Sequence, residues 1–164
     1  MAIDFETANR YRDSACAVGM VRVDDGVVTG RRSWLIRPKQ SFFEFTHIHG
    51  ITLADVMDSP SFDQVWAECG ELLGGAEFLA AHNASFDRSV LQACCLSFHL
   101  PVPRAPFLCS MAAARQIWNL RPTRLSDVCA FLNLRLKHHD ALSDADACAQ
   151  IMLAAARHAH SRRV

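Results

Sequence analysis

The feature that most constrains this chain is a pair of acidic residues in its first apolar segment, residues 1–7 (MAIDFET). Side chains alternate along a β-strand, so Asp4 and Glu6 are predicted on one face and Ile3 and Phe5 on the other. Two neighbouring carboxylates repel each other unless a cation lies between them, and Mg²⁺ prefers oxygen ligands. Taken alone, the pair is more simply a polar strand end with two solvated acids, so other segments must decide.

Length and charge define the class of protein that the chain can be. Its 164 residues, of which 51% are hydrophobic, fit a single domain over residues 1–164 with a sizeable core. Seventeen basic and seventeen acidic residues cancel, which argues against broad electrostatic binding of nucleic acid. An enzyme that handles phosphodiesters through bound metals stays compatible with this balance, because the metals supply the positive charge.

The seven cysteines form no Cys-x-x-Cys pair and no Cys/His zinc spacing. Most of them lie in apolar runs, where a free cysteine behaves as a small hydrophobic residue. Their odd number and the absence of a signal peptide predict a reducing, cytoplasmic setting. Since no apolar run approaches the roughly 18 residues that span a membrane, no membrane association is expected.

The order of the apolar segments predicts a mixed five-stranded sheet. Segments 1–7, 15–23 and 27–37 are joined by short connections, which forces antiparallel neighbours. Segments 77–81 and 107–109 each follow a helix and are expected to run parallel to the first strand. Helices are predicted from residue 52 and over residues 61–73, 86–98, 110–118, 124–132 and 140–158, with a frayed tail at 159–164. The fold class is therefore α/β.

Two further acids stand where a metal site would need them. Asp87 lies in the first turn of a helix, and Asp144 lies near the start of the last helix. The helix dipole alone explains an acid at either position. His139 precedes Asp144 by five residues, and a histidine there can accept a proton from water and release it again. An isolated histidine before a helix is also an ordinary surface residue.

Taken together, four segments carry a resemblance that no single one carries. Residues 4–7 (DFET), 82–87 (HNASFD), 139–144 (HDALSD) and 48–52 (IHGIT) resemble the motifs of the DEDDh exonucleases in type, order and separation. This is the DnaQ-like group that includes the epsilon proofreading subunit of bacterial DNA polymerase III and ribonuclease T. The similarity extends from residue 1 to about residue 155.

The resemblance implies a ribonuclease-H-like fold with the Asp4–Glu6 strand at its centre, and 3′→5′ exonuclease activity. It implies two Mg²⁺ or Mn²⁺ ions bound by four carboxylates, those of Asp4, Glu6, Asp87 and Asp144. His139 would then be the general base, and Asp4 is expected to bridge both ions.

By the same resemblance, several residues would surround the terminal nucleotide. These are Thr7, Ile48, His49 and Phe86, with Phe5, His82 and Asn83 as further candidates. Stacking on an aromatic ring tolerates any base, so little sequence preference is expected. Two alternatives stay open, core packing for Phe86 and a structural hydrogen bond for His49.

Two features bear on how the substrate would be held. Many family members have a hydroxyl residue where this chain has Ala8, so that position could alter the grip on the 3′ end. A basic set also precedes the third motif and could guide a phosphate backbone, although scattered surface charge is the simpler interpretation. This set consists of Arg121, Arg124, Arg135, Lys137 and His138.

The predicted activity is release of nucleoside monophosphates from the 3′ ends of single-stranded or frayed DNA. Trimming of RNA by the same chemistry is one alternative. The other is a proofreading or binding subunit that has a DNA polymerase subunit as its partner. In either case the predicted ligand is the 3′ end of a single strand of DNA or RNA.

Overall fold

The structure is a computed structural model that describes residues 1–161. It contains five strands: β1 (Ala2–Thr7), β2 (Ala15–Asp24), β3 (Val27–Leu35), β4 (Leu79–Ala81) and β5 (Phe107–Cys109). The helices are α1 (Thr46–His49), α2 (Leu53–Val56), α3 (Phe62–Leu73), α4 (Ala84–Ser97), α5 (Ser110–Trp118), α6 (Leu125–Leu132) and α7 (Ala141–Ser161).

The strands form one sheet in the order β3-β2-β1-β4-β5. The first three strands are antiparallel, whereas β4 pairs parallel to β1 and β5 pairs parallel to β4. This confirms the predicted mixed sheet and its central first strand. Because β1, β4 and β5 are parallel, their carboxyl ends meet at one edge of the sheet, where the motif segments that follow β1 and β4 come together.

Helices cover both faces of the sheet. Ile3 and Phe5 belong to a core cluster with side chains of α3 and α4, such as Phe62 and Leu91. On the opposite face, Ala2 packs with residues of α7. Complete burial of a side chain such as Ile3 stabilises the fold by about 1.5–3 kcal/mol. The predicted division of β1 into an apolar face and an acidic face is therefore confirmed.

Several element boundaries differ from the predictions; β4, for example, begins at Leu79 and not at residue 77. β3 ends at Leu35, because Arg37 forms an isolated bridge with Ser61. The short helix α1 lies in a stretch without clean periodicity and was not predicted. α4 begins at Ala84, two residues early, because Asn83 adopts φ +68° and turns the chain at once.

The last helix also differs from its prediction. α7 continues to Ser161, beyond the predicted end at residue 158. Its Ala-rich sequence favours helix, and the ring of His158 packs at 6.3 Å from that of Trp118. Residues 159–161 of the predicted frayed tail are thus helical, and residues 162–164 lie outside the described residues.

All seven cysteines are free thiols, and six of them are buried, as expected of small hydrophobic residues. Over residues 1–161, the helices are either too short or too polar to cross a membrane.

Candidate active site

The acidic face of β1 supplies the first two residues of the site. Asp4 and Glu6 are half-buried, and one oxygen of each lies within 4.8 Å of an oxygen of Asp144. β1 has a paired strand on each side, so its backbone is held rigidly. The two carboxylates are therefore presented from the most constrained strand of the sheet.

Asp87 reaches this site from the first turn of α4. It is 2% exposed, and its Oδ1 accepts a hydrogen bond of 3.0 Å from the backbone N–H of Phe5. Asn83 lies just before the helix in the left-handed region that Asn tolerates, so α4 starts directly at the end of β4. Asp87 lies outside the group of three oxygens formed by the other acids, but its charge contributes to raising the pKa of Asp4.

Gly19 allows the start of α7 to approach the sheet. It pairs with Asp4 across β1 and β2, and directly opposite residues share a face. A Cβ atom at Gly19 would lie 2.1 Å from the carbonyl oxygen of Ala141, the first residue of α7. Because that atom is missing, α7 contacts β2 and Asp144, one turn further along, reaches the acids of β1.

The carboxylate of Asp144 is only half satisfied by the protein. Its Oδ2 accepts a hydrogen bond of 3.2 Å from the backbone N–H of His139, and Nδ1 of His138 lies 3.4 Å from the same oxygen. Its Oδ1 is buried and has no hydrogen-bond partner among residues 1–161. Such an oxygen is costly unless a ligand satisfies it.

Burial raises the pKa of all four carboxyl groups, and repulsion from neighbouring acids adds to the effect at Asp4, Glu6 and Asp87. For Glu6, burial and then the charges of Asp144 and Asp87 raise the pKa to about 7. The pKa of Asp87 is also raised to about 7, chiefly by burial, and burial is the main cause for Asp4 and Asp144. A divalent cation would reverse these shifts by favouring the ionised forms. The unsatisfied Asp144 oxygen and the all-oxygen donor set therefore fit Mg²⁺ or Mn²⁺.

His139 lies beside the acids, where the third motif predicts it. Its ring is exposed and stacks on that of His138, with centroids 3.9 Å apart. Ring nitrogens of both histidines lie within 4.8 Å of an oxygen of Asp144. Partial desolvation of the imidazole, and then the neighbouring His138, lower the pKa of His139.

A cavity of about 390 Å³ opens between α1 and the start of α7. Ile48 lines one side of it, and His139 lines the other. Ile48 is 42% exposed, so its apolar side chain is accessible from this cavity. The candidate substrate residue Ile48 and the predicted base His139 thus line the same cavity.

His49 has a structural role that the sequence left open. The backbone N–H of Ile51 donates to its Nδ1 at 3.0 Å, and its Nε2 lies 3.1 Å from the carbonyl oxygen of Thr7. Since Nδ1 accepts, Nε2 carries the proton and donates. The ring therefore ties α1 to the end of β1. Thr7 itself is almost fully buried.

Two candidate substrate residues have to be corrected. Both ring nitrogens of His82 are occupied within the protein, by Ser110 Oγ at 2.8 Å and by the carbonyl oxygen of Thr123 at 3.0 Å. The side chain of Phe5 is 3% exposed in the core, because it points away from the acidic face. The side chain of Phe5 therefore cannot contact a substrate, and the ring of His82 has no free nitrogen to form a hydrogen bond with one.

Ala8 does not face the substrate side either. It is fully buried, in a cluster with Cys16 and Val56, and its carbonyl oxygen accepts hydrogen bonds from the N–H groups of Glu44 and Phe45. The expectation that a missing hydroxyl at Ala8 alters the grip on a 3′ end is therefore wrong, because the position anchors the segment before α1.

Phe86 and Asn83 remain accessible. Asn83 is exposed, and Phe86 is partly buried, with the guanidinium carbon of Arg12 lying 4.4 Å from the centre of its ring. The charge of Arg12 also opposes the upward shift in the pKa of Asp87. Arg12 was missed because no motif includes it.

Gly19 was also missed. An isolated glycine within a strand indicates a close approach of another backbone, and that signal is present at Gly19. His138 was predicted only as one of the basic set that could guide a phosphate backbone, and its contact with Asp144 was not foreseen.

Comparison with known proteins agrees with this geometry. Residues 1–152 match the family model of the RNase T exonucleases. In an alignment of 160 positions that covers 92% of this chain and 66% of that protein, the chain is 31% identical to Exodeoxyribonuclease 10 of Escherichia coli (strain K12). In an alignment of 159 positions that covers 93% of this chain but 11% of the polymerase, it is 29% identical to the PolC-type DNA polymerase III of Thermotoga petrophila.

Solved structures give the same result. Exonuclease X in complex with 5′ overhanging duplex DNA superposes with a TM-score of 0.77 at 28% identity, covering 95% of this chain and 90% of that chain. The nuclease domain of 3′hExo, a DEDDh family member bound to rAMP, has a TM-score of 0.82 with the same coverage, but at 17% identity it supports the fold alone. The family match, the acids and the histidine lead to one conclusion: the chain belongs to the RNase T family of DEDDh exonucleases.

Proposed function

We propose that this chain is a metal-dependent 3′→5′ exonuclease that acts on single-stranded or frayed DNA. The observation that carries the proposal is the group of Asp4, Glu6 and Asp144, whose oxygens lie within 4.8 Å of one another, with Asp144 Oδ1 buried and unsatisfied by residues 1–161. Such a donor set has no role in a purely structural strand, because clustered carboxylates destabilise the metal-free fold.

Asp4, Glu6, Asp87 and Asp144 would hold two divalent ions, and Asp4 would contribute to holding both. Asp4 is the acid whose pKa is raised by all three of the others, beyond the effect of burial. When bound, the ions would supply charge stabilisation at the phosphate and a lower pKa for the attacking water.

His139 is the residue placed to move a proton. Its lowered pKa keeps a ring nitrogen free to accept the proton of the attacking water near neutral pH. The hydrogen bond from its backbone N–H to Asp144 fixes its distance from the acids. Its exposed ring can then return the proton to solvent.

Around the terminal nucleotide, Ile48 and Phe86 would offer apolar contacts and Asn83 a polar one. Thr7 contributes through the end of β1, which His49 holds in place. The direct partners would be sugar and phosphate groups and the face of the base, so little base preference follows.

DNA is favoured over RNA as the substrate by the more similar relatives. Exodeoxyribonuclease 10, at 31% identity, and Exonuclease X, solved with duplex DNA at 28% identity, both refer to DNA by name or title. Association with a polymerase is a secondary proposal, based on matches to PolC-type polymerases and to the epsilon subunit of DNA polymerase III of E. coli.

The test is digestion of a 5′-labelled single-stranded DNA and an RNA of the same sequence, with Mg²⁺, Mn²⁺ or a chelator. We expect stepwise shortening of the DNA only when metal is present. Asp144→Asn should lower the rate about a thousandfold, because a ligand worth several kcal/mol is lost. The matched control is Asp146→Asn, two residues along the same helix, whose carboxylate bonds to Arg31 at 2.6 Å.

The control should retain activity. If the DNA stayed intact with Mg²⁺ and also with Mn²⁺, the exonuclease proposal would be disproved. Faster digestion of the RNA than of the DNA would overturn the proposed preference for DNA.

A further inference from the structure

A second cavity, of about 490 Å³, opens at the carboxyl end of β4, between α5 and the start of α6. Three arginines line it: Arg115 on α5, Arg121 in the connection that follows, and Arg124 directly before α6. No acidic residue is among the lining residues in the described part of the chain. We call this cavity the arginine pocket.

Hydrogen bonds through the buried Thr123 hold the arginine pocket in place. Nε of Arg115 donates to Thr123 Oγ1 at 2.8 Å, and Thr123 is 4% exposed. The carbonyl oxygen of the same threonine accepts the hydrogen bond from His82 Nε2. His82 thus fixes the pocket to the end of β4, which gives this motif histidine a supporting role in place of direct substrate contact.

The pocket adjoins the acidic site. His82 and Asn83 form part of its lining, and Asn83 directly precedes the helix that carries Asp87 in its first turn. A strand held at the acids could therefore pass Asn83 and reach the arginines within a short stretch of backbone.

The charges make an anion the expected occupant. Three guanidinium groups around one cavity repel each other. Asp127, which does not line the cavity, accepts a hydrogen bond of 2.9 Å from the backbone N–H of Arg124. Guanidinium groups match phosphate oxygens with paired N–H donors. The chain has no net charge, so these local cations, and not a general field, would hold a polyanion.

We infer that the arginine pocket binds a backbone phosphate of the substrate strand, on the 5′ side of the bond that is cut. The inference rests on the proposed exonuclease function. It predicts that the enzyme grips a strand of several nucleotides, while a single nucleotide ester engages the acids alone.

Two substrates separate the pocket from the reaction centre. The p-nitrophenyl ester of thymidine 5′-monophosphate has one phosphodiester and no upstream phosphate, whereas a single-stranded DNA of about ten nucleotides extends past the site. Arg121→Ala and Arg124→Ala, both at exposed positions, should each lower kcat/KM on the DNA about tenfold. The dependence of log kcat/KM on log salt should become shallower by about 0.7 for each lost contact.

On the single nucleotide ester, both variants should match the unmodified protein. Arg121→Lys keeps the charge and should recover most of the salt dependence. The matched control is Arg104→Ala, an exposed arginine in the connection before β5, near the amino end of that strand and away from the carboxyl end of β4. It should leave kcat/KM on both substrates unchanged.

The outcomes distinguish the two proposals. If the unmodified protein with metal cleaves neither substrate, the proposed function fails. If it cleaves both and the arginine variants equal it on the DNA, the pocket does not bind the strand and the inference is overturned. Equal losses on both substrates would also overturn it, since the arginines would then act at the reaction centre. If inorganic phosphate stabilised the protein against unfolding while the arginine variants kept full kcat/KM on the DNA, the pocket would be a site for free anions and the inference would be overturned.

Discussion

At the scale of the residue, the two adjacent histidines before α7 contact Asp144 in different ways. The rings of His138 and His139 stack within 12° of parallel, and partial desolvation and then the neighbouring His138 lower the pKa of His139. Nδ1 of His138 faces the carboxylate of Asp144, whereas His139 contacts that carboxylate through its backbone N–H. His139 therefore keeps its ring available for a proton, while its main chain sets its position.

His139→Ala should lower kcat by about 10²- to 10⁴-fold, the usual contribution of a positioned general base. Binding of Mn²⁺, measured by titration calorimetry, should change little, because Asp4, Glu6 and Asp144 supply the oxygens. His138→Ala is the neighbouring control and should cost less than tenfold in kcat. If His139→Ala abolished Mn²⁺ binding, the ring would be a metal ligand and not the base.

At the scale of the element, the site depends on how closely α7 approaches the sheet. Gly19 on β2 and Ala141 at the start of α7 are in backbone contact, and the helix delivers Asp144 to β1 only because that contact is so short. A backbone carbonyl cannot rotate aside as a side chain can. The position of α7 relative to β1 and β2 therefore requires a residue without a side chain at position 19.

Gly19→Ala should therefore lower the free energy of unfolding by about 1–3 kcal/mol or more, and should displace α7 enough to reduce activity. The matched control is Gly70→Ala, at an exposed position of α3 where an added Cβ would meet nothing within 4 Å. That change should stabilise the protein by about 0.5–1 kcal/mol, because alanine favours helix.

Urea unfolding with matched activity assays would measure both effects. Equal stability of the two variants would contradict the contact proposed between β2 and α7.

At the scale of the whole molecule, the acidic cluster couples stability to pH. The pKa values of Glu6 and Asp87 are raised to about 7, and those of Asp4 and Asp144 are raised as well. The folded protein therefore keeps protons that the unfolded chain has already released. The stabilisation is present below the unfolded pKa values, near 4, and is lost as the pH rises toward 7.

The metal-free protein should consequently have a lower Tm at about pH 8 than at about pH 5. Mg²⁺ or Mn²⁺ should raise the Tm more at the higher pH, because protons compete with the ions for the same oxygens. Thermal unfolding in a chelator and in excess metal would measure this. Glu6→Gln should flatten the pH dependence of the metal-free protein, and a Tm that rises steadily from pH 5 to 8 in the chelator would contradict the argument.

Much of the fold and of the site could be predicted from local patterns. Alternation along β1 places Asp4 and Glu6 on one face, and the short connections after β1 and β2 force the antiparallel pairing. The resemblance of their segments to the family motifs singled out Asp87, His139 and Asp144, and the structure brings all of them to the acidic end of β1. Patterns of this kind depend on neighbours in the chain, so they are visible without a structure.

By itself, then, the sequence determined the mixed sheet, and its resemblance to the family motifs predicted the central strand and the five residues proposed as the DEDDh set. Only the tertiary structure decided which other motif residues face a substrate. The partners of His82 lie 28 and 41 positions along the chain, and that of His49 lies 42 positions away, so their structural hydrogen bonds leave no local signal. The burial of Ala8 against Cys16 and Val56 likewise arises from contacts between separate segments. Arg121 and Arg124 stood in the predicted basic set, but only the structure shows that they share a cavity with Arg115.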